Sequence, residues 1–195
     1  MDCFIRSRAG PTLGEEVPAA GAAGAGPAEE AVVSLAAAGA LAAAAREGVG
    51  DMKTQTFIEQ LQNEQIVAAI RAAEAKTSGE LRVFISRKKA GDALTAAKHE
   101  FTRMGMTKTA ERNGVLIFVA PKSRTFAILG DQGIHARCGE GFWRELAEQM
   151  TAHFRNAEFT QGIVGAVEKA GALLGEHFPR KPDDKNELPD AVERD

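Results

Sequence analysis

Several shortages narrow what this chain can be. Only two cysteines, Cys3 and Cys138, occur in 195 residues, too few for a disulfide framework and in keeping with a reducing compartment. No apolar run reaches the roughly 18 residues that spanning a bilayer requires. Positive charge is in deficit: the net charge of -3 and a pI near 5.9 give no global attraction to nucleic acid or to an anionic membrane. Motifs are missing too. There is no glycine-rich P-loop and no D-x-D pattern of aspartyl-phosphate chemistry. His99, His135, His153 and His177 show none of the i,i+3 or i,i+4 pairing that a zinc site would use. The expectation is a soluble, cytoplasmic protein with one core.

What is present is organised around Arg112 to Gly133. Val115 to Ala120 is an unbroken apolar run, Pro121-Lys122-Ser123 reads as a turn, and Thr125 to Leu129 is a second run closed by Gly130-Asp131-Gln132-Gly133. This is the pattern of a β-hairpin. Neither run alternates strictly between polar and apolar residues, so both strands need cover on both faces.

Residues 1–51 have a different composition. More than half the residues between Pro11 and Gly50 are Ala or Gly, and a segment with so little to bury cannot offset its ordering entropy. They are expected to be a disordered extension, with at most a frayed helix near Ala31 to Ala45. A secretory signal is the competing reading, since Arg6 and Arg8 precede an apolar stretch. Glu15, Glu16, Glu29 and Glu30 lie between the arginines and that stretch, which begins far from Met1.

The domain is expected over residues 52–178. Asn63 is a candidate N-cap for a helix with Ile66, Val67, Ile70, Ala73 and Glu74 on one face and Gly79 as its stop. Leu81 to Ile85 is a strand. Asp92 is a candidate N-cap for a second helix with Leu94, Ala97, Phe101 and Met104 in its stripe. After the hairpin, an irregular piece is expected to reach Glu140, with an extra short strand near Ile134 to Ala136. A third helix follows with Phe142 or Trp143, Leu146, Ala147, Met150 and Phe154. A fourth is capped by Thr160, with Ile163, Val167, Ala170 and Leu174 in line. Residues 179–195 carry three prolines and many charges and are expected to be a disordered tail. The order helix, strand, helix, strand, strand, helix, helix, with a right-handed crossover between the first two strands, predicts a three-layer α/β sandwich around a small mixed sheet.

That topology brings chemistry to one edge. Glu80 begins the first strand, Arg112 and Asn113 precede the parallel second strand, and Asp131 follows the antiparallel third. Glu74 joins them from the end of the first helix, on its apolar side, where a carboxylate needs a partner. Three carboxylates with Asn113 are the hard-oxygen set that Ca²⁺ or Mg²⁺ prefers. The alternative is that Glu74 and Glu80 form ion pairs with Arg112, Lys108 or Arg82, and that Gly130-Asp131 is simply a turn.

A resemblance adds to this. Ile70-Arg71-Ala72-Ala73-Glu74, Thr77-Ser78-Gly79-Glu80-Leu81-Arg82-Val83, Phe101 with Gly105-Met106-Thr107, Arg112-Asn113-Gly114-Val115-Leu116-Ile117, Gly130-Asp131-x-Gly133-Ile134, Phe142-Trp143 and Gly162-Ile163 occur in an order that resembles the TPM domain family across about Asn63 to Phe178. The resemblance implies an α/β sandwich, divalent-cation binding at Glu74, Glu80 and Asp131, and acid-phosphatase activity in some members. Many relatives carry a signal peptide and a C-terminal membrane helix, neither of which is expected here. Two functions follow as expectations. One is a cation-binding module, with Ca²⁺ favoured, presenting its loops to a protein partner. The other is a metal-dependent phosphatase in which Asp131 and Arg112 are the catalytic candidates.

Other signals are weaker. Cys138 to Arg144 has the C-x5-R spacing of cysteine-dependent phosphatases, but polar residues rather than a strand lead into it and Glu140 would place negative charge in the loop. His135 could lie near Asp131 as a general acid, or be a solvated loop histidine. Arg82, Arg87, Lys88 and Lys89 form a basic patch with Phe84 as the only aromatic nearby, which reads as a solvated loop before an RNA surface.

Overall fold

The computed structural model describes residues 33–34, 54–182 and 191–195. Its centre is a five-stranded sheet. In chain order the elements are β1 (Val33–Ser34), α1 (Thr54–Gln60), α2 (Asn63–Glu74), β2 (Leu81–Ile85), α3 (Ala93–Arg103), β3 (Val115–Ala120), β4 (Thr125–Gly130), α4 (Gln132–Arg155), α5 (Phe159–His177) and β5 (Val192–Arg194). The strand order is β1-β4-β3-β2-β5. β2 runs parallel to β3 and β5, whereas β4 is antiparallel to β3 and β1.

The absence of alternation in β2 and β3 is explained by two apolar layers. Leu81, Val83, Ile85, Val115, Ile117, Val119, Phe126 and Ile128 face the larger core with α2, α4 and α5. Phe84, Leu116, Phe118, Ala127 and Leu129 face a smaller one against Ala93, Ala97 and Phe101 of α3. Every residue of β2 and β3 is buried. The expected three-layer sandwich is thus the observed one, with α3 alone on one face. Pro121–Ser123 makes one 3-10 turn between β3 and β4, completed by Arg124 in the left-handed region (φ 52°).

Several local expectations are corrected. The strand near Ile134 to Ala136 does not form, because Asp131 caps α4 and buried Ile134 lies within its first arm; the irregularity is confined to Gly139 (φ 66°), where the helix kinks. Asn63 is the first residue of α2 and not its cap; its Oδ1 accepts a hydrogen bond from Arg194 instead. The helix ends at Glu74, before Gly79. Thr160 lies inside α5, where its Oγ1 accepts from the Gln62 amide. Asp92 does cap α3, accepting from Thr95 N at 2.7 Å.

The tail differs from a wholly disordered one. Pro179 bridges to Thr77, Arg180 N donates to Lys76 O, and Val192–Arg194 add a parallel strand to the edge of β2. Within the first 51 residues, Val33–Ser34 pair with the other edge, and the rest of the expected frayed helix lies outside the described residues.

Candidate functional site at the strand-start edge

Register builds the site. Leu81 pairs with Val115 and Val115 with Gly130, so the next row outward holds Glu80, Gly114 and Asp131. Two backbone bonds tie this row together, Val115 N to Glu80 O at 2.8 Å and Asp131 N to Gly114 O at 2.9 Å. The edge on which the expected site residues converge is therefore real, and Glu74, Glu80, Arg112, Asn113 and Asp131 all lie on it.

Each carboxylate there has a partner. Glu74 Oε1 accepts from the Leu81 amide at 2.9 Å and lies 3.5 Å from Arg82 Nη1. Arg82 Nη2 reaches Glu80 Oε2 at 3.2 Å, and Nη1 also donates to Leu81 O. Arg82 is only 1% exposed, so this triad is shut away from water. A buried charge requires such pairing, and the arginine fork supplies it to two carboxylates at once.

Asp131 is held differently. Its Oδ2 and Oδ1 accept from Arg112 Nε at 2.7 Å and Nη2 at 2.9 Å, a bidentate pair, while Oδ1 also takes the Gln132 amide at the start of α4. The Asp131 carboxylate is buried, but the Arg112 side chain is 39% exposed. Arg112 adopts φ 52°, a left-handed conformation that costs a side-chain-bearing residue about 1 kcal/mol or more. Gly133 explains how the loop is held there. Its amide donates to Arg112 O at 2.8 Å, and a Cβ at this position would run into the carbonyl oxygens of Glu111 and Arg112. The glycine lets the loop lie directly on the first turn of α4, which sets Arg112 over Asp131.

Asn113 completes the edge. It is 1% exposed; its Nδ2 donates to Ser78 Oγ at 3.3 Å, and its Oδ1 is buried with no hydrogen-bond partner. The amide orientation is dictated by its neighbours. Ser78 gives its own proton to Glu111 Oε2 at 2.6 Å and can only accept from Asn113, while Lys181 Nζ holds Glu111 Oε1 at 3.0 Å. The hydrogen bond from Ser78, and then that from Lys181, hold the Glu111 carboxyl below its ordinary pKa of 4.5. Ser78, Glu111 and Lys181 were not foreseen as site residues. They lie on three loops, Ser78 33 residues before Glu111 and Lys181 70 residues after it, and no motif joins them.

The chemistry this arrangement allows is limited. Among the described residues no three His, Cys, Asp or Glu side chains form a group able to hold a metal ion, so a preformed three-carboxylate cage is absent there. Two oxygen groups at this edge are of the hard type, the buried Asn113 Oδ1 and the Asp131 carboxylate, and the latter is paired with Arg112. His135 donates its backbone N–H to Asp131 O, but its ring Nδ1 is buried with no hydrogen-bond partner. Cys138 lies in α4 and burial pushes its thiol up from its ordinary value, the wrong direction for a thiolate nucleophile.

Both a family model and solved structures match this chain. A family model described as the TPM domain matches residues 52–173. The NMR structure of BA42 protein from the psychrophilic bacterium Bizionia argentinensis superposes with a TM-score of 0.64 at 39% identity, covering 70% of this chain and 96% of that one. Among curated proteins nothing matches.

Proposed function

This chain belongs to the TPM domain family, and we propose that its domain is a divalent-cation-binding module, with Ca²⁺ the best-suited ion, held where β2 and β3 begin. The observation that carries the reading is Asn113 Oδ1, a carbonyl oxygen buried without a hydrogen-bond partner beside Ser78. Leaving such a group unsatisfied costs about 1–3 kcal/mol. A hard cation recovers that cost and takes Asp131 as its charged donor, with Glu80 beside it and Glu74 fixing the Leu81 amide behind. Ca²⁺ accepts irregular sets of carbonyl, carboxylate and water oxygens, whereas Mg²⁺ demands a near-ideal octahedron. With few protein donors, affinity belongs in the range of about 10⁻⁴–10⁻³ M. Arg112 is the competitor: cation and guanidinium share Asp131, so binding swings the exposed arginine towards solvent. The loops around the ion then form the surface offered to a protein partner.

A second reading is metal-dependent hydrolysis of phosphomonoesters. One observation favours it, the exposure of the Arg112 guanidinium beside Asp131, where it could counter charge on phosphoryl oxygens. The charge balance opposes it. In the ion pairs seen among the described residues, Glu74, Glu80, Glu111 and Asp131 meet Arg82, Arg112 and Lys181, a set with no surplus of positive charge to attract a phosphate dianion.

Calorimetric titration of the full chain with Ca²⁺ and Mg²⁺ tests both. Saturable Ca²⁺ binding that Asn113→Ala and Asp131→Asn each weaken about tenfold or more is expected. Binding unchanged in Asp131→Asn would sink the site. Turnover of an aryl phosphate that survives both Asp131→Ala and chelation would assign hydrolysis to a contaminant.

A further inference from the structure

The opposite end of β2 holds a second arrangement, built from the loop that follows the strand and from β5. The carboxylate of Asp195 is received by three groups in sequence: Arg87 N donates to Oδ1 at 2.6 Å, Ser86 Oγ to Oδ2 at 3.2 Å, and Lys88 Nζ lies 3.3 Å from Oδ2. These hydrogen bonds hold the Asp195 carboxyl below its ordinary pKa of 3.8 against the opposing effect of burial. Upstream, Val192, Glu193 and Arg194 pair in register with Val83, Phe84 and Ile85, and Glu193 lies 3.7 Å from Arg103 Nη2.

How β5 is held matters more than that it is there. All three of its residues are only half-buried, and Val192 alone packs against the larger core. The strand is retained by backbone ladder bonds, by charge and by the Arg194 bond to Asn63 Oδ1, with little apolar burial, which is the signature of an element that opens at low cost. Its neighbour, β2, is fully buried and rigid. Next to the cradle runs an open groove of about 570 Å³ lined by Ala90, Asp92, Thr95, His99 and Lys89 around Asp195, with the stacked Phe84 and Phe118 rings at its floor. There is space here beyond what the Asp195 side chain fills.

We propose that the edge of β2 covered by β5, together with the Ser86–Lys88 cradle, is a recognition site for an extended peptide carrying an acidic residue, and that Val192–Asp195 is its resident occupant in cis. Strand addition supplies affinity through the backbone of Val83 to Ile85. The cradle supplies selectivity, because three donors converge on one carboxylate and Lys88, 79% exposed, adds charge that steers acidic ligands. Arg103 selects a second acidic residue two positions earlier. The bound tail covers an edge that would otherwise present unpaired N–H and C=O groups, and a partner segment of the same chemistry gains access by displacing it.

The test keeps the full chain and changes only the tail's charges. In Glu193→Lys/Asp195→Lys the tail faces Arg103, Lys88 and the Arg87 amide with the wrong sign, so hydrogen exchange at Val83 to Ile85 and at Arg87 should accelerate. A labelled, acetylated peptide copying residues 191–195 should then bind the variant and slow that exchange again. If the tail fills the edge about nine-tenths of the time, the wild-type chain binds the same peptide about tenfold more weakly. A peptide with Asn in place of its final Asp should bind neither. Lys88→Glu provides the complementary change: it should release the tail and also reject the peptide. Unchanged exchange in the tail variant, absence of saturable peptide binding to it, or equal affinity of the two peptides would each overturn the proposal.

Discussion

Arg82 and Arg112 hold carboxylates at the same end of the same sheet, yet they do different work. Arg82 sits on β2 within the smaller layer, 1% exposed, between Glu74 and Glu80. Arg112 sits in a loop, 39% exposed, and pairs with Asp131. Solvent access separates them. Moving Arg82 would strand two buried anions in low dielectric, whereas moving Arg112 hydrates its own guanidinium and strands one, Asp131. An acidic cluster read as one site is therefore two: a buried frame of Glu74, Arg82 and Glu80, and a pair with one exposed member, Asp131 and Arg112, on the same edge as Asn113.

The largest test of that division is Arg82→Met. Removing one member of a buried charge network costs about 3–5 kcal/mol, so the urea midpoint should fall steeply. Glu74→Gln/Glu80→Gln added to it should recover part of the loss, because the stranded charges are then gone. No recovery would mean that packing, not charge, makes Arg82 important. Gly133→Ala comes next, at about 1–3 kcal/mol, since its Cβ meets the backbone of Glu111 and Arg112. It should also weaken Ca²⁺ binding by shifting the loop that carries Asn113, which separates it from a purely structural lesion elsewhere in α4.

Arg112→Gly should have the reverse sign on function. Glycine relieves the left-handed backbone at φ 52° but takes the bidentate partner from the buried Asp131 carboxylate, so stability should fall by about 1–3 kcal/mol while Ca²⁺ affinity rises several-fold. Lower affinity would show that Arg112 organises the site and does not compete for it. The smallest effect concerns pH. The Glu111 carboxyl is lowered in the folded state by Ser78 and Lys181, so it contributes stability that is fully present above its ordinary value of 4.5 and is lost as pH falls through the lowered one. The difference in urea midpoint between wild type and Glu111→Gln should be flat above about pH 5 and shrink on further acidification.

Much of this fold is legible in the sequence because its strands are unbroken apolar runs and its helices carry clear stripes. Val115 to Ala120 can only be covered on both faces, and Ile66, Ile70 and Ala73 show which side of α2 is inward. The shorter strands are not legible. Val33–Ser34 and Val192–Arg194 have two and three residues, too few for a period, and they are strands only because an edge receives them. The first arm of α4 is hidden for another reason: Gly133, Gly139 and Gly141 mimic a loop, although Gly133 is needed for close approach and only Gly139 bends the helix. At the site, topology alone places Glu80 and Asp131 on one edge. What topology cannot give is which cation each acid meets, since that depends on side-chain depth. Arg82 next to Glu80 reads as an exposed basic residue until the fold buries it. The chain Lys181–Glu111–Ser78–Asn113 spans loops that only the finished fold brings together.

The central claim is that the Asn113 oxygen and Asp131 receive a cation while the Arg82 triad stays fixed. The most direct measurement follows the side-chain amide resonances of Asn113 and the backbone amides of Asn113, Gln132 and Leu81 during Ca²⁺ titration of the wild-type chain and Asp131→Asn. Saturable shifts at Asn113 and Gln132, absent from Leu81 beside Glu74 and abolished in Asp131→Asn, are the predicted result. No shift at Asn113 up to about 10 mM Ca²⁺, well above the weakest range of protein sites, or shifts that persist in Asp131→Asn, would contradict it.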